Sequence, residues 1–289
     1  MEGSSLPFIF VYGTLRENEI NHYYLKDAVC LYKQAWIYGK LFDTKNSFPV
    51  MKENKHEKIY GEVYRVTDKL LHALNELEGY QGNASDNLYE QKMVTVFLDN
   101  GRKLEALTYI AGRSLTDSVD AILPGDWKVH RYLRKDCIYY FAYGSCMDDE
   151  RFRLAKVDDY FTAKVGRGIL KDHGFRFSRT SMDGGKADII ESAEEVVEGI
   201  VYHVPMEAID YLYEREGVYV NAYRPAVVQI SVNGASLEAI TFIGTEKSKE
   251  TRPSDLYGKE IIRGAKGILS EPYIKKIEQR IKKLESSTE

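Results

Sequence analysis

The sequence has little cysteine, no excess of positive charge and no long apolar run, and each shortage argues against a class of protein. The three cysteines, Cys30, Cys137 and Cys146, are scattered without metal-ligand spacing, which argues against a disulfide framework. Forty Lys and Arg against forty-four Asp and Glu give a net charge of −4, so we expect no nucleic-acid partner. No apolar run approaches the roughly 18 residues of a spanning helix, so we expect no membrane partner.

The N-terminus and the histidines exclude further classes. Residues 1–7 carry an acidic side chain where a secretory signal has basic ones, so we expect a cytoplasmic protein. The six histidines are dispersed and form no His-x-x-x-His pair, so no metal site is predicted. The segment Gly184-Gly185-Lys186-Ala187 lacks the earlier glycine and the following Ser or Thr of a phosphate-binding P-loop.

An internal repeat is the strongest positive signal. The chain of 289 residues is long enough for two domains of ordinary size. Three blocks recur in the same order in the second half: 8–15 with 139–146, 61–64 with 199–202, and Glu78-Gly79 with Glu216-Gly217. Ordered matches of this kind indicate a tandem duplication of a unit of roughly 110 residues, which can hold one core.

The local patterns predict mostly strands in each unit, with one or two helices. β-Branched and aromatic runs stopped by glycine predict strands at 8–12 and 138–143. Alternating runs around Asn-Gly turns predict a hairpin in each half, over 94–110 and 226–243. Leucine and isoleucine at helical spacing predict three helices: one ending near Glu78, one ending near Glu216, and a closing helix over 274–284.

A Tyr-Gly pair ends the first strand of each unit and is followed by Thr14 in one and Ser145 in the other. Glycine at a strand exit permits a backbone that points successive N–H groups outward, which makes a concavity for an anion. A plain strand-to-turn exit has the same pattern. Duplication alone does not decide between the two interpretations, because it copies scaffolding as well as sites.

Glu78 and Glu216 each end a predicted helix immediately before glycine, the residue that commonly ends helices in a left-handed conformation. A carboxylate there faces the negative end of the helix dipole, and burial would raise its pKa in the same direction. Such a carboxylate could move protons near neutral pH. The alternative is an exposed glutamate without a role. Glu76 and Glu214 are expected to face solvent.

These motifs resemble the gamma-glutamylcyclotransferase-like (AIG2-like) superfamily along the whole chain. The first half resembles its gamma-glutamylamine cyclotransferase branch through 12–16 (YGTLR), 61–64 (GEVY), 77–80 (LEGY), Tyr89 and 124–127 (PGDW). The second half is closer to gamma-glutamylcyclotransferase proper through 141–145 (FAYGS), 184–189 (GGKADI), 197–199 (VEG), Glu216-Gly217, Tyr223-Arg224, 253–257 (PSDLY) and 261–265 (IIRGA).

The resemblance implies an α+β fold of two tandem gamma-glutamylcyclotransferase-like domains, each a mixed β-barrel with flanking helices. We predict the first domain over residues 1–134 and the second, with its C-terminal helix, over 135–289. The pocket of each would lie between the Tyr-Gly turn and the Glu-Gly helix end.

The resemblance also implies an enzyme without metal or cofactor. A small γ-glutamyl compound would cyclise by attack of its own α-amine on the side-chain carbonyl, which gives 5-oxoproline and a free amine or amino acid. Glu78 and Glu216 would be the catalytic acid/base residues. The implied substrate-binding residues are Tyr12, Gly13, Thr14, Leu15 and Tyr89 in the first half and Tyr143, Gly144, Ser145, Cys146 and Tyr223 in the second.

Two departures from the family pattern and several alternatives stay open. Cys146 stands where the family usually has Asn, and a longer polar stretch, 81–87, separates Glu78 from Tyr89. The fold could instead serve as a binding module for γ-glutamyl or related amino-acid compounds without turnover. One half could also be catalytic and the other a scaffold. The sequence leaves the individual substrate and the oligomeric state undefined.

Overall fold

The computed structural model describes residues 6–82, 86–112 and 120–286. The chain divides into two compact units, Met1–His130 and Arg131–Glu289. This division falls a few residues before the boundary between 134 and 135, which stays a prediction.

The first unit is a closed barrel with strand order β1-β5-β2-β6-β7 and a small sheet of order β4-β3-β8. Its strands are β1 Phe8–Val11, β2 Val29–Tyr38, β3 Lys40–Asp43, β4 Pro49–Lys52, β5 Lys58–Arg65, β6 Tyr89–Phe97, β7 Lys103–Ala111 and β8 Asp120–Ala121. Its helices are α1 Asp68–Leu77 and α2 Trp127–Tyr132, which extends just past the division between the units, with a short 3₁₀ turn at His22–Leu25.

Strand β1 closes this barrel because it pairs on both sides. It runs antiparallel to β5 and parallel to β7, where Ile9 lies opposite Leu107. Apolar side chains that are almost fully buried, among them Phe10, Ile37 and Ile59, fill the interior. The start of the Tyr-Gly turn is thereby held at the end of a strand bonded to two neighbours.

The second unit is a closed barrel with strand order β10-β11-β9-β13-β12. Its strands are β9 Ile138–Ala142, β10 Lys164–Ser181, β11 Gly184–Val204, β12 Tyr223–Val232 and β13 Ala235–Gly244. The helices described in this unit are α3 Asp149–Ala155, α4 Glu207–Arg215, α5 Asp255–Ala265 and α6 Glu271–Glu285, with 3₁₀ turns at Ser145–Met147, Asp158–Phe161 and Val218–Val220.

The pairing of β9 repeats that of β1. It runs antiparallel to β11 and parallel to β13, where Ile240 lies opposite Tyr140. The α+β fold of two mixed β-barrels with flanking helices is therefore confirmed, and with it both predicted hairpins and the closing helix.

The second unit is richer in helix than predicted, and α5 is the main addition. Its Ser254 side chain accepts from the Tyr257 N–H, as an N-cap residue does. The helix brings Tyr257 close to the Tyr-Gly turn of this unit, because a Cβ on Gly144 would lie 3.6 Å from Tyr257 Oη. Tyr257 Oη also accepts from the Ala187 N–H at 3.2 Å.

Candidate active site

A tight loop follows β1, and we call residues 12–16 the first loop. The Arg16 N–H donates to the Gly13 carbonyl at 3.1 Å, which closes the turn without using the amides of Gly13, Thr14 and Leu15. A Cβ on Gly13 would lie 2.8 Å from Cγ of Pro49, so crowding by β4 is the reason for glycine here. Glycine is therefore required at position 13 because a side chain would not fit, and not for the special backbone conformation that the sequence predicts.

Helix α1 brings Glu78 to this loop. The Thr67 side chain caps its start, and the Glu78 N–H donates to the Leu74 carbonyl at its end. Gly79 then turns the chain away in the left-handed conformation, with φ of 64°. The predicted helix end at Glu78 is confirmed, and Glu76 is exposed as expected.

Glu78 faces a cavity of about 210 Å³, which we call the first pocket. Burial raises the pKa of Glu78 to about 7. A carboxyl group with this pKa exchanges protons readily near neutral pH. All six residues predicted for this half line the cavity, namely Tyr12, Gly13, Thr14, Leu15, Glu78 and Tyr89.

Three tyrosines line the first pocket together with Glu78, and each donates its hydroxyl proton to another group of the protein. Tyr12 donates to the Tyr109 carbonyl at 2.8 Å, and Tyr89 donates to the Pro49 carbonyl at 2.9 Å. Tyr109 donates to Asn75 Oδ1 at 2.6 Å. These bonds tie the wall to β4, β7 and α1, so the rings hold fixed positions around the carboxylate.

A buried ion cluster lies behind the first loop. Arg16 contacts Glu62 Oε1 at 3.2 Å and Asp126 Oδ1 at 2.7 Å, and all three side chains are almost fully buried. Glu62 also accepts from the Tyr64 hydroxyl and from the Glu17 N–H. The cluster therefore anchors the loop to β5 and to the start of α2.

The second unit repeats the arrangement with a different lining. We call residues 143–147 the second loop; the Met147 N–H donates to the Gly144 carbonyl at 3.1 Å and closes it. Helix α4 ends at Arg215, Glu216 is its C-cap residue, and Gly217 has φ of 64°. This helix end is also confirmed, and Glu214 is exposed.

Cys146 bonds directly to the carboxylate of this unit. Its Sγ–H donates to Glu216 Oε1 at 3.1 Å. Burial raises the pKa of the Cys146 thiol to about 12, so it stays protonated and acts as a donor. Burial also raises the pKa of Glu216, against the opposing effects of the Cys146 hydrogen bond and of the positive charge on Arg215.

The second pocket has an inner and an outer chamber. The inner chamber, about 30 Å³, is lined by all six residues predicted for this half: Tyr143, Gly144, Ser145, Cys146, Glu216 and Tyr223. The outer chamber, about 470 Å³, shares Ser145, Glu216, Tyr223 and Tyr257 with it. Charged side chains line the outer chamber: Arg151, Arg179, Asp183, Lys186, Arg215 and Glu260.

Sequence reasoning missed Tyr109, Tyr257 and the charged lining. Tyr109 lies on the second strand of a predicted hairpin, where alternation could have placed it on the inner face. Tyr257 lies in a motif quoted for the family, and the Ser254 cap could have revealed its helix. The arginines come from separate elements, and single surface arginines carry no signal of convergence.

Comparison with known proteins identifies the family. A family model described as "Gamma-glutamyl cyclotransferase, AIG2-like" matches residues 9–129, and one described as "AIG2-like family" matches residues 196–277. The protein YkqA of Bacillus subtilis is 39% identical over 280 residues, which cover 96% of this chain and 98% of YkqA. This chain belongs to the AIG2-like gamma-glutamyl cyclotransferase family.

A solved structure of YkqA matches this AIG2-like chain over nearly its whole length. Its TM-score is 0.86 at 38% identity, over 96% of this chain and 98% of that one. The gamma-L-glutamyl-butirosin B gamma-glutamyl cyclotransferase of Niallia circulans is 38% identical over 128 residues, 44% of this chain and 78% of the relative. The gamma-glutamylcyclotransferase of Bos taurus is 31% identical over 130 residues, 44% and 69% of the two chains.

Membership of the AIG2-like family supports a cyclotransferase-like enzyme, because relatives of this chain are named gamma-glutamyl cyclotransferases. Within the described residues, no helix is both long and apolar enough to cross a bilayer.

Proposed function

We propose that the protein converts γ-glutamyl amines or γ-glutamyl amino acids to 5-oxoproline and a free amine, with Glu78 and Glu216 as the acid/base groups of two separate pockets. One observation carries the proposal. In both units a glutamate whose pKa is raised by burial ends a helix and lines the same cavity as a Tyr-Gly loop.

The proposed step is an intramolecular acyl transfer. The α-nitrogen of the γ-glutamyl group attacks the γ-carbonyl carbon, a new C–N bond closes the five-membered ring, and the C–N bond to the leaving nitrogen breaks. Two protons leave the α-ammonium, and two arrive on the departing nitrogen when it leaves as an ammonium. The glutamate accepts protons from one nitrogen and returns them to the other. Neither a metal nor a cofactor enters this step.

The pocket mainly has to hold a folded-back conformer, because both reacting groups belong to one molecule. The loop amides that the turns leave unused, at Gly13–Leu15 and Gly144–Cys146, are suited to the substrate α-carboxylate or to the carbonyl oxygen on which charge develops. Tyr12, Tyr89, Tyr143 and Tyr223 would form the walls around that conformer.

The test is 5-oxoproline formation, measured by mass spectrometry on a panel of γ-glutamyl amino acids, amines and ε-(γ-glutamyl)lysine. Glu78→Gln should remove the activity of the first pocket and Glu216→Gln that of the second, each by about 10²- to 10⁴-fold, as for loss of a general acid/base. The double variant should be inactive on the whole panel.

The chain offers matched controls on the same helices. Glu76→Gln and Glu214→Gln change exposed carboxylates two residues earlier and should leave turnover intact. Loss in only one single variant would assign the chemistry to one unit and leave the other as a scaffold. A folded wild-type protein that gives no 5-oxoproline from any substrate would contradict the proposal and favour a binding module.

A further inference from the structure

The outer chamber of the second pocket holds four cationic side chains, and they fall into two kinds. Arg151 forms an ion pair with Glu260, and Lys186 Nζ lies 2.6 Å from Asp183 Oδ2. In the part of the chain that the structure describes, Arg179 and Arg215 form no ion pair with a carboxylate. Only two of these four cationic side chains are therefore paired with a nearby carboxylate.

Arg179 is held in a fixed orientation. Its Nε–H donates to the Ala222 carbonyl at 3.2 Å, and its guanidinium lies over the Tyr223 ring, 5.4 Å from the centroid. Its Nη1 donates to the neighbouring Thr180 carbonyl at 3.4 Å. A guanidinium with a fixed plane and a remaining Nη2 group is prepared to bind an oxyanion, because little further ordering is needed.

Arg215 adds a second positive charge to the chamber that Glu216 lines. It lies in the last turn of α4, directly before Glu216, and lines the outer chamber with Arg179. Both arginines lower the pKa of Glu216. When Glu216 holds a proton taken from a substrate, its charge disappears and both guanidinium groups are left uncompensated.

The chamber sizes limit where a ligand that reacts at Glu216 can lie. The inner chamber of about 30 Å³ has room for only a few atoms beside Glu216. The remainder of a ligand reacting at Glu216 must therefore occupy the outer chamber of about 470 Å³. The first pocket differs, since no Lys or Arg is among the described residues that line it.

We propose that the outer chamber is an anion subsite in which Arg179 and Arg215 bind two carboxylates on the leaving part of a γ-glutamyl compound. The substrate class is thus a γ-glutamyl acidic peptide, with γ-L-glutamyl-L-glutamate as its smallest member. This inference rests on the proposed function, because it takes Glu216 as the place of reaction.

The kinetic test uses the Glu78→Gln protein, in which only the second pocket should be active. It compares KM for three substrates whose leaving parts carry two, one and no carboxylates. The substrates are γ-L-glutamyl-L-glutamate, γ-L-glutamyl-L-alanine and γ-L-glutamyl-n-butylamine. In this background Arg179→Gln and Arg215→Gln should each raise KM for the first substrate by about ten-fold, as expected for loss of one charge-assisted contact. The effect on the alanine compound should be smaller, and KM for the butylamine compound should not change.

The change in KM across the three substrates distinguishes a loss of carboxylate binding from damage to the structure of the pocket. A merely structural role of Arg179 or Arg215 would change all three substrates alike, and that result would overturn the subsite. Arg153→Gln is the matched control, because Arg153 is also an exposed arginine in the last turn of a helix but does not line the chamber. It should leave all three KM values unchanged.

Calorimetry distinguishes failure of the subsite from failure of the proposed function. The Glu78→Gln/Glu216→Gln protein is titrated with γ-L-glutamyl-L-glutamate, with and without Arg179→Gln/Arg215→Gln. Loss of about 100-fold in affinity would support the subsite even if no variant releases 5-oxoproline. Equal affinity with and without the arginines would overturn it, whatever the turnover.

Discussion

In the first unit the residue that ends the loop, Arg16, is buried and ion-paired, whereas its counterpart in the second unit is the buried, apolar Met147. Glu62 on β5 likewise corresponds to Ile200 on β11, which is fully buried. The pockets differ in the opposite sense, since among the described residues only the second pocket is lined by arginines. The first unit thus has a buried ion cluster at its loop, and the second unit has charged side chains around its pocket.

The framework around these charges is unchanged. Thr108 Oγ1 donates to the Phe10 carbonyl at 3.0 Å, and Thr241 Oγ1 donates to the Phe141 carbonyl at 2.9 Å. Both bonds join the parallel pair of strands that closes a barrel. Backbone pairing thus tolerates complete replacement of the charges beside it, because strand hydrogen bonds do not depend on which side chains line the pocket.

The largest effect should come from exchanging the buried ion cluster for its apolar counterpart. Arg16→Met leaves the carboxylates of Glu62 and Asp126 buried without their cation and should cost about 3–5 kcal/mol in the free energy of unfolding. Adding Glu62→Ile should recover part of this loss, because one orphaned charge is removed. Urea unfolding measures both, with the exposed Arg65→Met as control. A loss below 1 kcal/mol for Arg16→Met would show that the cluster does not hold the loop.

The pH dependence of turnover should separate the two pockets. With the second pocket silenced by Glu216→Gln, kcat/KM should rise with pH to a plateau with a midpoint near pH 7, because ionised Glu78 is the base. With the first silenced by Glu78→Gln, the midpoint should lie above the ordinary pKa of a glutamate, because burial raises the pKa of Glu216. Adding Arg215→Gln should move this midpoint further upward, because the charge on Arg215 opposes that rise, and should leave the profile of the first pocket unchanged. Equal responses of the two pockets to Arg215→Gln would contradict the proposed difference.

The unfolding free energy should also depend on Glu78. Because its pKa is raised in the folded state, the unfolded chain releases this proton at lower pH, so stability falls as pH rises from about 4.5 to about 7. Glu78→Gln should flatten this part of the stability curve and stabilise the protein above pH 7. Parallel curves for wild type and Glu78→Gln would contradict burial as the cause, and the exposed Glu76→Gln supplies the reference.

The smallest expected change concerns the Cys146 hydrogen bond. Cys146→Ala removes a donor that lowers the pKa of Glu216, so the pH midpoint of the second pocket should move upward by at most about one unit. Cys146→Ser keeps a donor and should restore the profile. If serine and alanine behave alike, the thiol only fills space.

The repeat, the strands and the ends of the two glutamate helices could be predicted because each depends on neighbouring residues. The charged side chains around the loop of the first unit and the pocket of the second could not be predicted, because their partners are far apart in the sequence. Arg16 pairs with Asp126 from the far end of its unit, and Arg151, Arg179 and Arg215 converge from a helix, a strand and another helix. In the sequence each looks like an ordinary solvated residue. The polar stretch 81–87, which separates Glu78 from Tyr89, predicts a loop that reshapes or covers the first pocket; residues 83–85 lie outside the described part, so this stays a prediction.

The tyrosine hydroxyls of both pockets have one further consequence. A phenol has a single proton to give, and Tyr12, Tyr89, Tyr143 and Tyr223 all direct theirs to backbone carbonyls. Toward the cavity their oxygens can therefore only accept. A ligand that forms hydrogen bonds with these tyrosine oxygens must therefore be the donor. An ammonium group can donate three such bonds.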